Sequence, residues 1–298
     1  MAHPNLLICI GATKAGRSWL YGYLHDHQEC HVRMVKECHY FSTFDTRKLT
    51  SQLMALSASI HDCDSQLAEA EAADEVTKIL ALGRKIDDML ALMVVLSGDR
   101  TAGSAHFDYL RAGRIDETAL LAVTSWYSLL ETPQIERMAQ LPICLKILYL
   151  MCNSSERLWS HIRMHAKRIL SGGQEFATLC LGLYERVLFD KAEAYFVTRG
   201  DYKANIERFD TAFDRTDFHS ELMENLTDWP RFTAMWRFLC STATSPIKVN
   251  FVYVGQPAPF TVMMWVGILK FLKKQYDFVA KNFGILPQAR QKNREILA

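Results

Sequence analysis

Hydrophobic residues in this chain fall into short solid runs and longer spaced stripes. Leu6–Ile10, Leu145–Met151 and Val249–Val254 are apolar at nearly every position, as strands covered on both faces are. Helical spacing fills the intervals, so the pattern predicts an α/β protein with a parallel sheet between helical layers. Residues 46–97 read as one long helical insert. Its apolar stripe is Val76, Ile79, Leu80, Ile86, Met89, Leu90, Met93 and Val94, and acidic residues cluster at Glu69, Glu71, Asp74 and Glu75. A cap helix or helical pair packed on the sheet is the expected form; a substrate lid or a dimer face are the alternatives. Gly172-Gly173 breaks the helix that carries Leu170, and another helix starts near Gln174. Pro257 and Pro259 separate the third apolar run from a helix over Phe260–Phe283, with Gly284 as its stop and Pro287 beyond.

The length, 298 residues, suits one α/β domain, here 1–298 with the helical insert at about 46–97. Lys and Arg total 34 against 33 Asp and Glu, which excludes a nucleic-acid face built on bulk charge. The eight cysteines show no zinc spacing, and Cys9, Cys144 and Cys180 lie among apolar residues, as reduced core thiols of a cytoplasmic protein would. The apolar N-terminal stretch is too short for a signal peptide. Phe260–Leu269 is cut off by Lys270, Lys273 and Lys274, short of the roughly 20 apolar residues a membrane span needs. No membrane partner is expected.

Chemistry concentrates where the first apolar run ends. Leu6–Ile10 breaks at Gly11 into a loop with Lys14 and Gly16, and Arg17–His27 follows with helical spacing. A strand, a glycine-bounded loop with a lysine and a helix make an anion site: loop and first-turn N–H groups converge, and the lysine adds a full charge. The phosphate loop of nucleotide hydrolases needs Gly-x-x-x-x-Gly-Lys-Ser/Thr. Gly11 and Gly16 have that separation, but Arg17 stands in the lysine position. A strand–turn–helix whose glycines serve only the turn is the plainer alternative.

A second such junction follows Leu145–Met151. Asn153 with Glu156 three residues on makes a capping box, so a helix starts there. Leu158, Ile162 and Ile169 would face the core, which places Arg157, Ser160, His161 and Arg163 on or beside the other face. A helix N-terminus at the carboxyl end of a parallel strand is where open α/β sheets bind ligands.

Lys14-Ala15-Gly16-Arg17-Ser18-Trp19-Leu20 resembles the 5′-phosphosulfate loop of sulfotransferases that use 3′-phosphoadenosine 5′-phosphosulfate (PAPS), Pro/Thr-Lys-Ser/Ala-Gly-Thr-Thr-Trp/x-Leu. Cys152–Ser160 resembles their second loop, Arg-Asp/Asn-Pro-x-x-Arg-x-x-Ser, and matches it at Asn153, Arg157 and Ser160. Lys36-Glu37-Cys38-His39-Tyr40-Phe41 is similar to Lys-Glu-x-His-x-Phe of the glycan-type members, whose glutamate is the catalytic base. Weaker echoes are Gly200-Asp201-Tyr202, like their Gly-x-Tyr segment, and Phe271–Pro287, like the C-terminal helix of bacterial members. The likeness is absent from 46–140 except near Tyr109, where acceptor specificity would reside.

The resemblance implies a P-loop-like three-layer α/β fold and a bacterial or glycan-type enzyme. Such an enzyme would move a sulfuryl group from PAPS to a hydroxyl of a small-molecule or carbohydrate acceptor, leaving adenosine 3′,5′-bisphosphate, with no metal. Lys14, Ala15, Gly16, Arg17, Ser18 and Trp19 would hold the 5′-phosphosulfate. Asn153, Arg157 and Ser160 would hold the 3′-phosphate, and Tyr202 would touch the nucleotide. Glu37 would be the base, Lys14 the leaving-group stabiliser, and His106 a rival base. Cys152 replaces the arginine of the second loop, which would weaken phosphate binding by about tenfold to a hundredfold unless Arg157 or Arg163 compensates. A degenerate relative that binds the bisphosphate or a sulfated ligand is the second reading, and a P-loop nucleotide kinase the third. A homodimer is left open.

Overall fold

A computed structural model describes residues 6–27, 29–101, 104–114, 119–141, 143–190, 193–238, 255–283 and 293. Five parallel strands form a sheet flanked by helices, in the order β2-β3-β1-β4-β5. They are β1 (Leu6–Gly11), β2 (Cys30–Val32), β3 (Ala119–Val123), β4 (Leu145–Met151) and β5 (Phe218–Leu222). β1 and β4 are the two solid apolar runs of the sequence, and every residue of β1 is buried. β2, β3 and β5 were not expected: β2 spans three residues, β3 is Ala/Leu-rich, and β5 carries His219, Ser220 and Glu221. The expected strand at Val249–Val254 and the stop at Gly284 and Pro287 lie outside the described residues.

The chain gathers into two compact units, Met1–Ile10 with Tyr21–Ile147, and Gly11–Leu20 with Leu148–Ala298. In the first unit, β1 pairs with β3 from Leu6↔Leu120 to Cys9↔Val123, and β2 pairs with β3 from Cys30↔Ala119 to Val32↔Leu121. The expected insert is a helical pair, α2 (Thr46–Ala72) and α3 (Val76–Ser97). Asp45 starts α2 by accepting hydrogen bonds from the Arg47 and Lys48 N–H groups. The buried positions of α3 are Leu82, Asp88, Met89, Leu92 and Leu96, whereas Val76, Leu80, Leu90 and Val94 are exposed. The buried stripe is therefore rotated from the expected one. A buried ion pair explains this: the Asp88 carboxylate pairs with the Arg33 guanidinium and accepts the Val35 N–H at 2.9 Å. An aspartate so committed turns its own face of the helix inward.

In the second unit, α6 (Ser154–Ile169) packs with α7 (Phe176–Glu185), α8 (Ala194–Thr198) and α11 (Val262–Phe271) around Leu158, Ile162, Cys180, Leu183, Phe196 and Ile268. The helix expected over Phe260–Phe283 is two: α11 ends at Phe271 with Leu272 as its cap, and α12 (Lys273–Phe283) follows. Neither Gly nor Pro marks that break, so composition carried no sign of it. α9 (Tyr202–Asp210) completes the part of this unit used below. Cys9 and Cys180 are buried as expected, but Cys144, one residue before the first buried position of β4, is exposed. All cysteines among the described residues are free thiols. No helix among the described residues is long and apolar enough to cross a membrane.

Breaking a buried pair strands the remaining charge, so Asp88→Ala should cost about 3 kcal/mol of unfolding free energy in urea titration. A loss under about 0.5 kcal/mol would mean that Arg33 finds water instead.

Candidate functional site

The first loop is built at the carboxyl end of β1. The Ala12 N–H donates to Leu150 O of β4, which sets the two strand ends side by side. The Ala15 N–H then donates back to Ala12 O at 3.1 Å, closing a turn. Lys14 sits in the left-handed region at φ 68°, a costly conformation for a residue with a side chain, and such residues gather at functional sites. Gly16 follows at φ 80°, and a Cβ there would stand 2.4 Å from Met223 Sδ, so both conformation and space demand glycine. Arg17 opens α1 (Arg17–His25), and its buried Nε donates to Ala12 O at 3.0 Å, bracing the loop from inside. Ala15 and Trp19 are buried in the core, while Lys14, Gly16 and Ser18 keep partial exposure.

The second loop follows β4 in the same unit. Asn153 caps α6 as its sequence implies: Oδ1 accepts the Ser155 N–H at 3.2 Å. The same oxygen accepts the Tyr276 hydroxyl of α12 at 2.7 Å, and that hydroxyl also meets Ser155 Oγ at 2.8 Å and accepts from Asn293 Nδ2 at 3.1 Å. Tyr202 donates its hydroxyl to Cys152 O at 2.8 Å, and its N–H goes to Gln275 Oε1 at 2.9 Å. Gln275 Nε2 in turn donates to Asp201 Oδ1, the cap of α9. Tyr202 is thus a brace behind the loop.

Arg157 and His161 depart from their expected outer face. Both are buried, whereas Ile169 is exposed. The cause is that α6 is covered on more than one side. Arg157 Nη2 donates to Phe196 O at 3.3 Å, and the guanidinium lies so close to Gly200 that a Cβ there would be 2.0 Å from Nη2. Arg157 Nε and Nη1 have no partner among the described residues. His161 packs tilted against Phe196 with centroids 4.4 Å apart, and burial holds its imidazole far below the ordinary range. Ser160 is half-buried.

Electrostatics single out Lys14. Burial, and then the guanidinium charges of Arg163, Arg168 and Arg17, hold its ammonium below the ordinary lysine range, and only the Cys152 sulfur among the groups acting on it pulls the other way. Cys152 Sγ lies 3.5 Å from Lys14 O. Four cations, with no carboxylate among the described residues shifting Lys14, make a region of positive potential suited to a multiply charged anion.

Glu37 and His106 belong to the other unit. Ser125, at the carboxyl end of β3, donates both its N–H (2.7 Å) and its Oγ (3.2 Å) to Glu37 Oε2. Gln52 Nε2 of α2 donates to Glu37 O at 3.4 Å, and His39, two residues on, is left-handed at φ 57°. Arg100 fastens the following turn, donating to Thr43 Oγ1 and Thr43 O, each at 2.9 Å. His106 is wholly buried and stacks on Tyr40 at 4.6 Å, and burial pushes its pKa down to about 3, so the ring is neutral at physiological pH. Tyr109 is buried beneath the Arg33 guanidinium. Sequence reasoning passed over Ser125, Tyr276, Gln275 and Arg168. Tyr276 and Gln275 were within reach, inside a stretch noted only for its general likeness.

No family model matches the chain, and no curated protein matches it. Among solved structures, a sulfotransferase from Alicyclobacillus acidocaldarius aligns over 98% of this chain and 100% of its own, with TM-score 0.58 and 18% identity. A sulfotransferase domain from the curacin biosynthetic pathway covers 100% of this chain and 98% of its own, with TM-score 0.42 and 14% identity. The first likeness places the chain in that fold.

A lysine whose folded pKa lies below its unfolded value costs stability at neutral pH, and the cost is relieved as pH rises from the folded pKa towards 10.5. Lys14→Met should therefore raise the melting temperature of the ligand-free protein and abolish its rise with pH in that window. Scanning fluorimetry from pH 7 to 10.5 reads both. A lower melting temperature for the variant at pH 7 contradicts the charge arrangement described here.

Proposed function

We propose that this chain is a PAPS-dependent sulfotransferase. The observation that carries the reading is Lys14, half-buried in a left-handed loop among three guanidinium groups, with no carboxylate among the described residues shifting it. Supporting it are the fold, two strand–helix junctions joined within one unit, the second capped by Asn153, and the motif likeness in the same order. An adenosine bisphosphate carries charge at two ends, and the two junctions offer one set of donors for each. Lys14, Gly16, Arg17 and Ser18 would serve the 5′ end, Arg17 largely by holding the loop, with Ala15 and Trp19 packed behind it. Asn153, Ser160 and Arg157 would serve the 3′ end, Tyr202 bracing the loop from behind.

In the reaction, the acceptor oxygen forms a bond to sulfur as the bond from sulfur to the 5′-phosphate oxygen breaks. The acceptor's proton passes to Glu37, and Lys14 neutralises the charge left on the departing phosphate. Ser125 fixes Glu37 through two hydrogen bonds to one carboxylate oxygen. Glu37 is preferred to His106, because a buried, stacked imidazole with so low a pKa cannot collect a proton from a bound hydroxyl. The acceptor is a hydroxyl-bearing small molecule or carbohydrate, and the free thiols suit a reducing cytoplasm.

One observation favours a second reading, a relative that binds the bisphosphate without turnover: the second loop has an uncharged Cys152 at its start. Labelled PAPS with an acceptor panel distinguishes the two. Wild type should transfer sulfur, and Glu37→Ala should lose about a hundredfold or more in kcat while binding the bisphosphate within about twofold of wild type. Binding by wild type with no transfer to any acceptor would favour the second reading.

A further inference from the structure

The second loop lacks the charge that would grip a terminal phosphate, yet the same helix presents one a turn beyond Ser160. Ser160 and Arg163 lie i, i+3 on α6, so both project from one face, and both are half-buried. Among the described residues the Arg163 guanidinium is fixed at one corner, by Nη1 donating to Gln256 O at 3.1 Å. Gly255 leaves space beside it: a Cβ there would meet Arg163 Cζ at 3.9 Å. The Nε is buried without a partner, and no ion pair involves Arg163 among the described residues. An arginine has five donors in a planar fork that matches phosphate, and a buried donor left unmatched is costly. Arg163 is also the first of the charges acting on Lys14, so the two cations lie near one another. Arg157, the other arginine of this segment, also has unmatched donors, but it is 1% exposed and enclosed against Gly200, where it would support the site from behind, whereas Arg163 keeps partial exposure.

We infer that Arg163 is the residue that binds the phosphomonoester at the 3′ end of the nucleotide, supplying from the body of α6 the charge that Cys152 does not supply from the loop. This rests on the function proposed above and adds a residue to it. A guanidinium placed from a helix face and braced by the 255–256 main chain does the work of one presented by the loop.

The test is calorimetric titration of adenosine 3′,5′-bisphosphate and adenosine 5′-phosphate into wild type, Arg163→Met, Arg163→Lys and the double variant Cys152→Arg/Arg163→Met. Wild type should prefer the bisphosphate by roughly tenfold to a hundredfold. Arg163→Met should bring that ratio close to one and leave the 5′-phosphate affinity within about twofold of wild type. Arg163→Lys should keep part of the preference, because charge survives and the fork does not, and the double variant should regain at least about fivefold. The inference is overturned if Arg163→Met keeps the wild-type ratio or weakens both ligands equally. Should Arg163→Met not fold, Arg163→Lys decides: an unchanged ratio together with unchanged affinities overturns it. Wild type binding both nucleotides equally sinks this inference alone, and wild type binding neither sinks the proposed function with it.

Discussion

Positive charge gathered from two stretches of chain is the constraint on which the second unit depends. Lys14, Arg17, Arg163 and Arg168 come from two separate stretches, and folding brings them together at a cost that burial increases. An acid placed among them would lower that cost and would also fill the pocket. The chain instead spends its rigidity on holding the cations in place. Arg17 is tied to Ala12 O, Arg163 to Gln256 O, and Lys14 to a backbone conformation that lysine rarely adopts. Cations fixed in this way are what a preorganised anion site would need.

The second loop is held by a network rather than by its own turn. One tyrosine hydroxyl, that of Tyr276, joins the Asn153 cap, Ser155 and Asn293, and a second, that of Tyr202, holds the carbonyl of Cys152. Gln275 links the main chain at Tyr202 to Asp201, so α9 and α12 grip the same strand exit. Gly200 belongs to this arrangement, because it admits the Arg157 guanidinium where any side chain would expel it. The motif residues at 153, 157, 200 and 202 are therefore one physical object.

What the sequence disclosed follows from how local each signal is. β1, β4, the Asn153 cap and the glycine-bounded loop are written in adjacent residues and were legible. β3 was not, because Ala119–Val123 is built of Ala and Leu, which favour helices, and only its place between β1 and β2 makes it a strand. β5 was hidden by His219, Ser220 and Glu221. The rotated stripe of α3 had a longer-range cause: periodicity counts apolar residues, and Asp88 is polar yet buried through Arg33, 55 positions away. Arg157 misled for the same reason, since a helix covered on several sides buries residues that a two-faced pattern assigns to solvent.

The insert in the first unit shows how an unmatched stretch serves a matched one. Glu37 lies in a segment with little regular structure, and such a segment needs outside support to keep a carboxylate in one position. Asp88 of α3 holds Arg33 and the Val35 N–H on one side of it, Gln52 of α2 reaches Glu37 O, and Arg100 beyond α3 fastens Thr43 on the other. Ser125 then sets the carboxylate itself. Four anchors fall on the eleven residues from Arg33 to Thr43. They fit a group whose bearing must be fixed, and they explain why the helical pair lies between the loop and β3 in sequence: it supplies the buttress that the short segment lacks.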